Sequence, residues 1–312
     1  MIRKVVVIGS GMMGSGIASQ AAIAGKVVVL NDTTLEKAES GKRKAVACIE
    51  ELKRNGLVEE DVDVVSSRII PEPNIEKSLE NVDFVIEAVF ENLELKQAVF
   101  EKLDSLLPSS VPIASNTSGL RITDIAAKVK NHPERTMTTH FWMPAHLVPL
   151  VEVVLWEKTN YDVACAVKAE LQTWGKAPVL VMRDLPGQLA NRILQAVIRE
   201  ASNIVEIGLA TAEDVDTAIK MGMGIRFPVW GPLEHVDAVG MELCTSVQNT
   251  VLPEISGKKE AADIFYENLE KGYLGYKSGR GFYDWSSKDM EALVNLRNNF
   301  IIQSVKFIKE NS

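Results

Sequence analysis

Residues 4–18 read KVVVIGSGMMGSGIA. A Val-rich run of the kind used by buried parallel strands stops at a glycine, and a stretch with helical character comes next. Gly9, Gly11 and Gly14 fit the pattern G-x-G-x-x-G between that strand and that helix. The first glycine allows a tight turn, the second lets backbone approach a pyrophosphate, and the third lets helix and strand pack closely. Met12 and Met13 fill the variable positions of the same loop. The helix that opens there offers free N–H groups and the positive end of its dipole to an anion. The bland alternative is a glycine-rich turn that binds nothing.

A second Val-rich run, KVVVLND at 26–32, ends in Asp32, 18 residues beyond Gly14. An acid there hydrogen-bonds the ribose hydroxyls of an adenine dinucleotide and repels a 2′-phosphate. Thr33 and Thr34 come next, with no arginine for that phosphate. NAD is therefore the expected cofactor, ahead of NADP and FAD.

Further runs at 83–89, 111–116, 135–141, 150–155 and 177–182 read as strands. Plausible helices lie at 12–24, 34–55, 92–107 and 160–174. This alternation predicts an α/β fold, a Rossmann-type mostly parallel sheet with helices on both faces. The charged 34–55 stretch is long for a crossover and is expected to project from the domain. Around Pro186-Gly187 the strand pattern stops, and nearly all of the remaining chain reads as helix. Apolar residues at 189, 193, 194, 197, 198, 201, 204 and 205 form a wide helical stripe, closed by Gly208. The expected division is a cofactor domain over 1–185 and an all-α substrate and dimerisation domain over 186–312.

Bulk composition narrows the function classes. A net charge of −8, from 34 basic and 42 acidic residues, argues against a general nucleic-acid binder. Cys48, Cys165 and Cys244 form no CxxC and no complete disulfide framework, which suits a reducing compartment. No apolar run approaches the ~20 residues of a membrane span. The chain enters a strand almost at once, leaving no room for a leader, so a cytoplasmic location is expected. No metal site is expected.

Hydride transfer from an alcohol needs a base for the hydroxyl proton and donors for the developing carbonyl oxygen. His140, at the end of a strand-like run in THFWMPAHLVPLVEV (139–153), is the leading base candidate. Glu152, a carboxylate inside an apolar run, needs a partner, and it would orient the imidazole if the two strand ends are neighbours. On spacing alone, a catalytic pair and a structural histidine both remain open. His132, His146 and His235 are weaker candidates, and His146 has no carboxylate nearby in sequence.

The chain resembles the L-3-hydroxyacyl-CoA dehydrogenase family along essentially its whole length. The segments that carry the resemblance are IGSGMMGSGIA (8–18), EAVFENLELK (87–96), ASNTSGLRITDIA (114–126), THFWMPAHLVPLVEV, PGQLANR (186–192), GPLEHVD (231–237) and YKSGRGFYDW (276–285). The resemblance implies that His140 and Glu152 are the catalytic pair. It implies that Ser118 and Asn191 approach the reacting oxygen, with Ser118 also near the nicotinamide. Glu91, Lys96 and Lys277 are implied on the cofactor side; without the family, Glu91 and Lys96 read as a solvated helix start. The expected activity is NAD-dependent oxidation of an L-3-hydroxy group, as in 3-hydroxybutyryl-CoA dehydrogenases, by a homodimer formed through the helical domain.

Some positions depart from the family pattern. Met143 stands where the family has an asparagine contacting the nicotinamide ribose. Cys48 and Asn55 stand where acyl-CoA members hold the CoA head with a serine and a lysine, although Lys53 and Arg54 are close by. The loop GIRFPVWGP is about one residue longer, and Pro149 replaces a lysine before LVEV. These features resemble branches acting on small free substrates such as carnitine, gulonate or hydroxymethyl-pyridine acids. The substrate is thus expected to be an acyl-CoA or, alternatively, a small hydroxy compound. A cofactor-binding structural or sensor protein with little turnover is a further alternative.

Overall fold

Val5 and Val7 belong to one apolar core, Val6 and Ile8 to another. All four are buried, because β1 (Lys4–Ile8) runs through a sheet covered on both faces. That double burial is why the run shows no polar alternation. The computed structural model describes residues 2–311. They form two compact units, one ending at Leu189 and the other beginning at Ala190.

The first unit is built on β1, β2 (Val27–Asn31), β3 (Ile69–Glu72), β4 (Phe84–Glu87), β5 (Ile113–Ser115), β6 (Thr136–Phe141), β7 (Leu150–Val154) and β8 (Ala177–Val181). They form one eight-stranded sheet in the order β3-β2-β1-β4-β5-β6-β7-β8. Every pairing is parallel except β6 with β7, which is antiparallel. The chain reverses its direction of growth between β1 and β4, and such a switch point opens a crevice beyond the strand ends.

The helices of this unit are α1 (Met12–Ile23), α2 (Leu35–Arg54), α3 (Val62–Ser67), α4 (Ile75–Ser78), α5 (Leu93–Leu106), α6 (Ile122–Ile125) and α7 (Tyr161–Thr173). Thr34, Asn92 and Asn160 cap α2, α5 and α7 by accepting first-turn N–H groups. β3 was not among the expected strands. It is four residues long and contains Pro71, which a sheet tolerates at an edge, where β3 lies.

The expectation that 34–55 projects is corrected. Ala38, Gly41, Ala45, Ile49 and Leu52 are buried at helical spacing along nearly the whole of α2. A Cβ on Gly41 would come within 2.4 Å of the Ser10 Cβ, so α2 lies directly against the glycine loop. The many charges of the helix are its outer face.

The second unit comprises α8 (Ala190–Glu206), α9 (Ala212–Ala218), α10 (Pro232–Val239), α11 (Met241–Val251), α12 (Asp263–Glu270) and α13 (Met290–Glu310). Its apolar residues are far less enclosed, and Ile193, Leu194 and Val197 of the α8 stripe are exposed.

The glycine loop separates a folding requirement from an open position. A Cβ on Gly14 would stand 1.8 Å from the Gly9 carbonyl oxygen, whereas one on Gly11 would meet nothing within 4 Å. Gly14→Ala is therefore expected to cost about 3 kcal/mol of stability and Gly11→Ala about 1 kcal/mol or less. Urea unfolding of the two variants checks this, and equal losses would refute it.

Candidate functional site

Antiparallel pairing of β6 and β7 sets His140 directly opposite Glu152. His140 Nδ1 lies 2.8 Å from Glu152 Oε2. An ionised carboxylate only accepts, so Nδ1 carries a proton toward Glu152, and in the neutral imidazole Nε2 is then the nitrogen with the lone pair. Ser118 Oγ lies 3.0 Å from that Nε2. The imidazole is thus held at both nitrogens and nearly enclosed, at 6% exposure. Glu152 has no exposure. Its Oε2 also accepts from the Trp142 indole N–H at 2.9 Å, and its Oε1 accepts from the Leu189 amide at 2.9 Å. Burying a carboxylate is costly without such donors.

Ser118 is placed by a loop after β5 that a single carboxylate gathers. Glu91 Oε1 accepts from the Thr117 hydroxyl at 2.6 Å and from the amides of Ser118, Gly119 and Leu120 at 3.1, 2.8 and 3.3 Å. Burial pushes the Glu91 carboxyl up, but the Thr117 hydroxyl, the Gly119 amide, the Lys96 ammonium and the Leu120 amide together hold it below the usual range. Asn116 Oδ1 accepts from the Phe141 amide at 2.9 Å, tying the same loop to β6.

Lys96 corrects the solvated reading that its sequence position suggests. It is 1% exposed, with its ammonium 2.7 Å from Glu87 Oε1 and 3.4 Å from Glu91 Oε2. Glu87, the last residue of β4, has no exposure and also accepts from Ser115 Oγ at 2.6 Å. Glu87 and Trp142 were missed by sequence reasoning. For Glu87 a signal existed, since FVIEAV places an acid inside an apolar run just as LVEV does.

Around the glycine loop, the N-terminus of α1 carries no side-chain cap, and no acid sits in its first turn. Its first N–H groups are unfilled within the helix, which suits an anion. Gly9 has φ +100°, and a Cβ there would meet the Ala88 carbonyl at 2.5 Å. Asp32 accepts from the Ser10 amide at 2.9 Å, the Ser10 hydroxyl at 2.6 Å and the Thr33 amide at 2.7 Å. Burial raises its carboxyl, but the bonds from Ser10 and Thr33 outweigh it and hold the group below the usual carboxylate range. Met12 is exposed and Met13 half-buried at the helix start. An open backbone at Gly11, a bare helix end and a fixed anion on the next strand fit an adenine dinucleotide.

Asn191 stands in the first turn of α8 and Lys277 in the turn Tyr276–Ser278, both in the second unit. His146 does have a carboxylate, from a distant element: its Nε2 lies 2.8 Å from Glu51 Oε2 near the end of α2. Burial outweighs that carboxylate and pulls the His146 imidazole below its ordinary value. Cys48, one turn before Glu51, has its thiol pushed up to about 11 by burial and by the Glu51 charge. Among the described residues, no group of His, Cys, Asp and Glu is arranged to hold a metal, and no helix is long and apolar enough to cross a membrane.

Residues 4–185 match the family model of the 3-hydroxyacyl-CoA dehydrogenase NAD binding domain, and residues 187–285 match that of the 3-hydroxyacyl-CoA dehydrogenase C-terminal domain. A probable 3-hydroxybutyryl-CoA dehydrogenase of Bacillus subtilis is 38% identical over 289 residues, covering 92% of this chain and 99% of that protein. A 5-formyl-3-hydroxy-2-methylpyridine 4-carboxylate 5-dehydrogenase of Mesorhizobium japonicum is 32% identical over 296 residues, covering 94% of each. A crystal structure of an enzyme of this pyridine type, described as an NAD+ dependent dismutase, superposes with a TM-score of 0.89 at 30% identity over 99% of both chains. The Escherichia coli 3-hydroxybutyryl-CoA dehydrogenase structure gives a TM-score of 0.76 at 34% identity, covering 93% of this chain and 61% of that one.

The Glu91 cluster predicts a local result. Glu91→Ala removes the acceptor of three backbone amides, and hydrogen bonds to a charged group contribute about 1.5–3 kcal/mol. Amide exchange at Ser118, Gly119 and Leu120 is expected to speed up roughly ten- to a hundredfold. Glu91→Gln keeps an acceptor oxygen and is expected to change it less. Equal, small effects of both variants in exchange mass spectrometry would show that the loop holds itself.

Proposed function

The chain belongs to the 3-hydroxyacyl-CoA dehydrogenase family, and from that premise we propose that it oxidises an L-3-hydroxy group to a 3-oxo group with NAD. The observation that carries the proposal is an imidazole held at Nδ1 by Glu152 and at Nε2 by Ser118. NAD, when bound, supplies the hydride acceptor. His140 Nε2 takes the hydroxyl proton of the substrate. Glu152, fixed opposite, stabilises the imidazolium that results. Ser118 Oγ holds the oxygen that changes from hydroxyl to carbonyl, and Asn191 is assigned to the same oxygen by its match to the family. Gly9, Gly11, Met12, Met13, Gly14 and Asp32 are assigned to the adenosine and pyrophosphate. Glu91 and Lys277 are assigned to the nicotinamide side, with Lys96 acting there through Glu91.

Two substrate classes fit this chemistry. The 3-hydroxybutyryl-CoA relatives support an acyl-CoA thioester. A small non-CoA hydroxy compound is favoured by one observation: the face of α2 between Cys48 and Asn55 carries the Glu51 carboxylate, already engaged by His146. An anionic CoA head would meet that like charge as well as the Lys53 and Arg54 cations on the same stretch. An NADH absorbance screen separates the classes, with acetoacetyl-CoA in the reducing direction and carnitine, gulonate and 3-hydroxybutyrate in the oxidising one. Binding of NAD with no turnover on any of them would favour a structural or sensor role.

A homodimer through the helical unit is part of the proposal, supported by exposed Ile193, Leu194, Val197, Leu243, Val247 and Phe300 in that unit. Light scattering at micromolar concentration is expected to return twice the 34.3 kDa chain mass. With the substrate in hand, His140→Gln and Glu152→Gln are each expected to lower kcat by roughly 10²–10⁴. Near wild-type turnover by either variant would remove the pair from the reaction.

A further inference from the structure

Glu152 Oε2 accepts from two donors at nearly equal distance, His140 Nδ1 at 2.8 Å and Trp142 Nε1 at 2.9 Å. His140 is the penultimate residue of β6 and Trp142 lies just beyond its end, and both side chains reach the same carboxylate oxygen. The rings are also in tilted contact, 5.9 Å apart between centroids at 55°. The shared oxygen links them.

We propose that Trp142 is a positioning residue that sets the base strength of His140 through Glu152: its indole N–H withdraws charge from the oxygen that supports the imidazolium. This rests on the reading of His140 as the base. An indole N–H donates and never accepts, so it competes with His140 for Oε2 and cannot take part in proton transfer. The result is a histidine held tightly by its carboxylate and yet less basic than a lone His–Glu pair would make it. That combination returns the proton readily when the 3-oxo group is reduced.

Charged groups on the surrounding elements have partners of their own. β8 places apolar Val179 beside Glu152. Lys176, at the head of β8, gives its ammonium to the Ala145 and Val148 carbonyls at 2.6 and 3.1 Å. The Glu91 carboxylate is engaged by the loop that bears Ser118.

The test is Trp142→Phe, which keeps a ring and removes the donor, read by two methods. In the NAD-free protein, the His140 ring resonances, assigned among the chain's four histidines, are tracked with pH. Their midpoint is expected to move up by about half a pH unit, the worth of one modest hydrogen bond. In the Glu152→Leu background, which leaves neither ring an acceptor, the same substitution is expected to produce no shift. In the active enzyme, the acid limb of kcat/KM for oxidation is expected to move up by the same amount. An unmoved midpoint, or an equal shift in both backgrounds, overturns the proposal. So does a uniform loss of activity with an unchanged pH profile. Should Trp142→Phe fail to fold, Trp142→Leu, which also removes the donor, replaces it in the same comparison. The resonance measurement does not depend on turnover, so it stands even if His140→Gln shows that the histidine is not the base.

Discussion

A carboxylate with no exposure, in the middle of a β-strand, is the constraint around which this site is arranged. Glu152 is surrounded by Val151 and Val153, both fully buried. A charge in that position destabilises the fold unless donors converge on it. They include the His140 ring on β6, the Trp142 indole just beyond it, and the Leu189 amide at the end of the first unit. The one antiparallel pairing in the sheet makes this convergence possible, because it sets His140 and Glu152 face to face. The segment between them, residues 142–149, is then held down by its own contacts. Lys176 binds the Ala145 and Val148 carbonyls, Glu51 binds His146, and Gly16 leaves α1 room for Ala145.

The same device recurs at β4. Glu87 is as buried as Glu152, and its partner is the ammonium of Lys96. Lys96 in turn faces Glu91, and Glu91 gathers the loop that holds Ser118 against His140. One buried ion pair therefore supports one side of the imidazole and Glu152 the other. Removing one member of such a pair leaves the other charge uncompensated, at a cost of about 3–5 kcal/mol.

Much of this was legible in the chain. Strand-helix alternation and the glycine loop need only local patterns, and they led to the mostly parallel sheet and to an NAD-binding fold. The contact between His140 and Glu152 is foreshadowed because a charge in an apolar run needs a partner. The illegible part depends on contacts between distant elements. Little that is local tells that α2 lies flat, since its charged face dominates the sequence and the small residues Ala38, Gly41 and Ala45 make up most of its buried face, followed only late by Ile49 and Leu52. Glu51 and His146 are 95 residues apart, so their pairing carries no spacing signal. Lys96 looked solvated because its neighbours Glu94 and Gln97 are polar, while its own partner lies on the preceding strand. β3 was hidden by Pro71, a residue that argues against a strand anywhere but at an edge.

The loop after β5 is held by its main chain. Glu91 grips the amides of residues 118–120, and apart from the Thr117 hydroxyl it asks nothing of their side chains. Gly119 is not confined by space either, since a Cβ there would stand 3.6 Å from Glu91, an ordinary contact. Position and identity are thereby uncoupled along this loop. The side chain at 119 can therefore be varied while the Ser118 hydroxyl stays where it is, because the shape of the loop is carried by a carboxylate outside it and not by its own sequence.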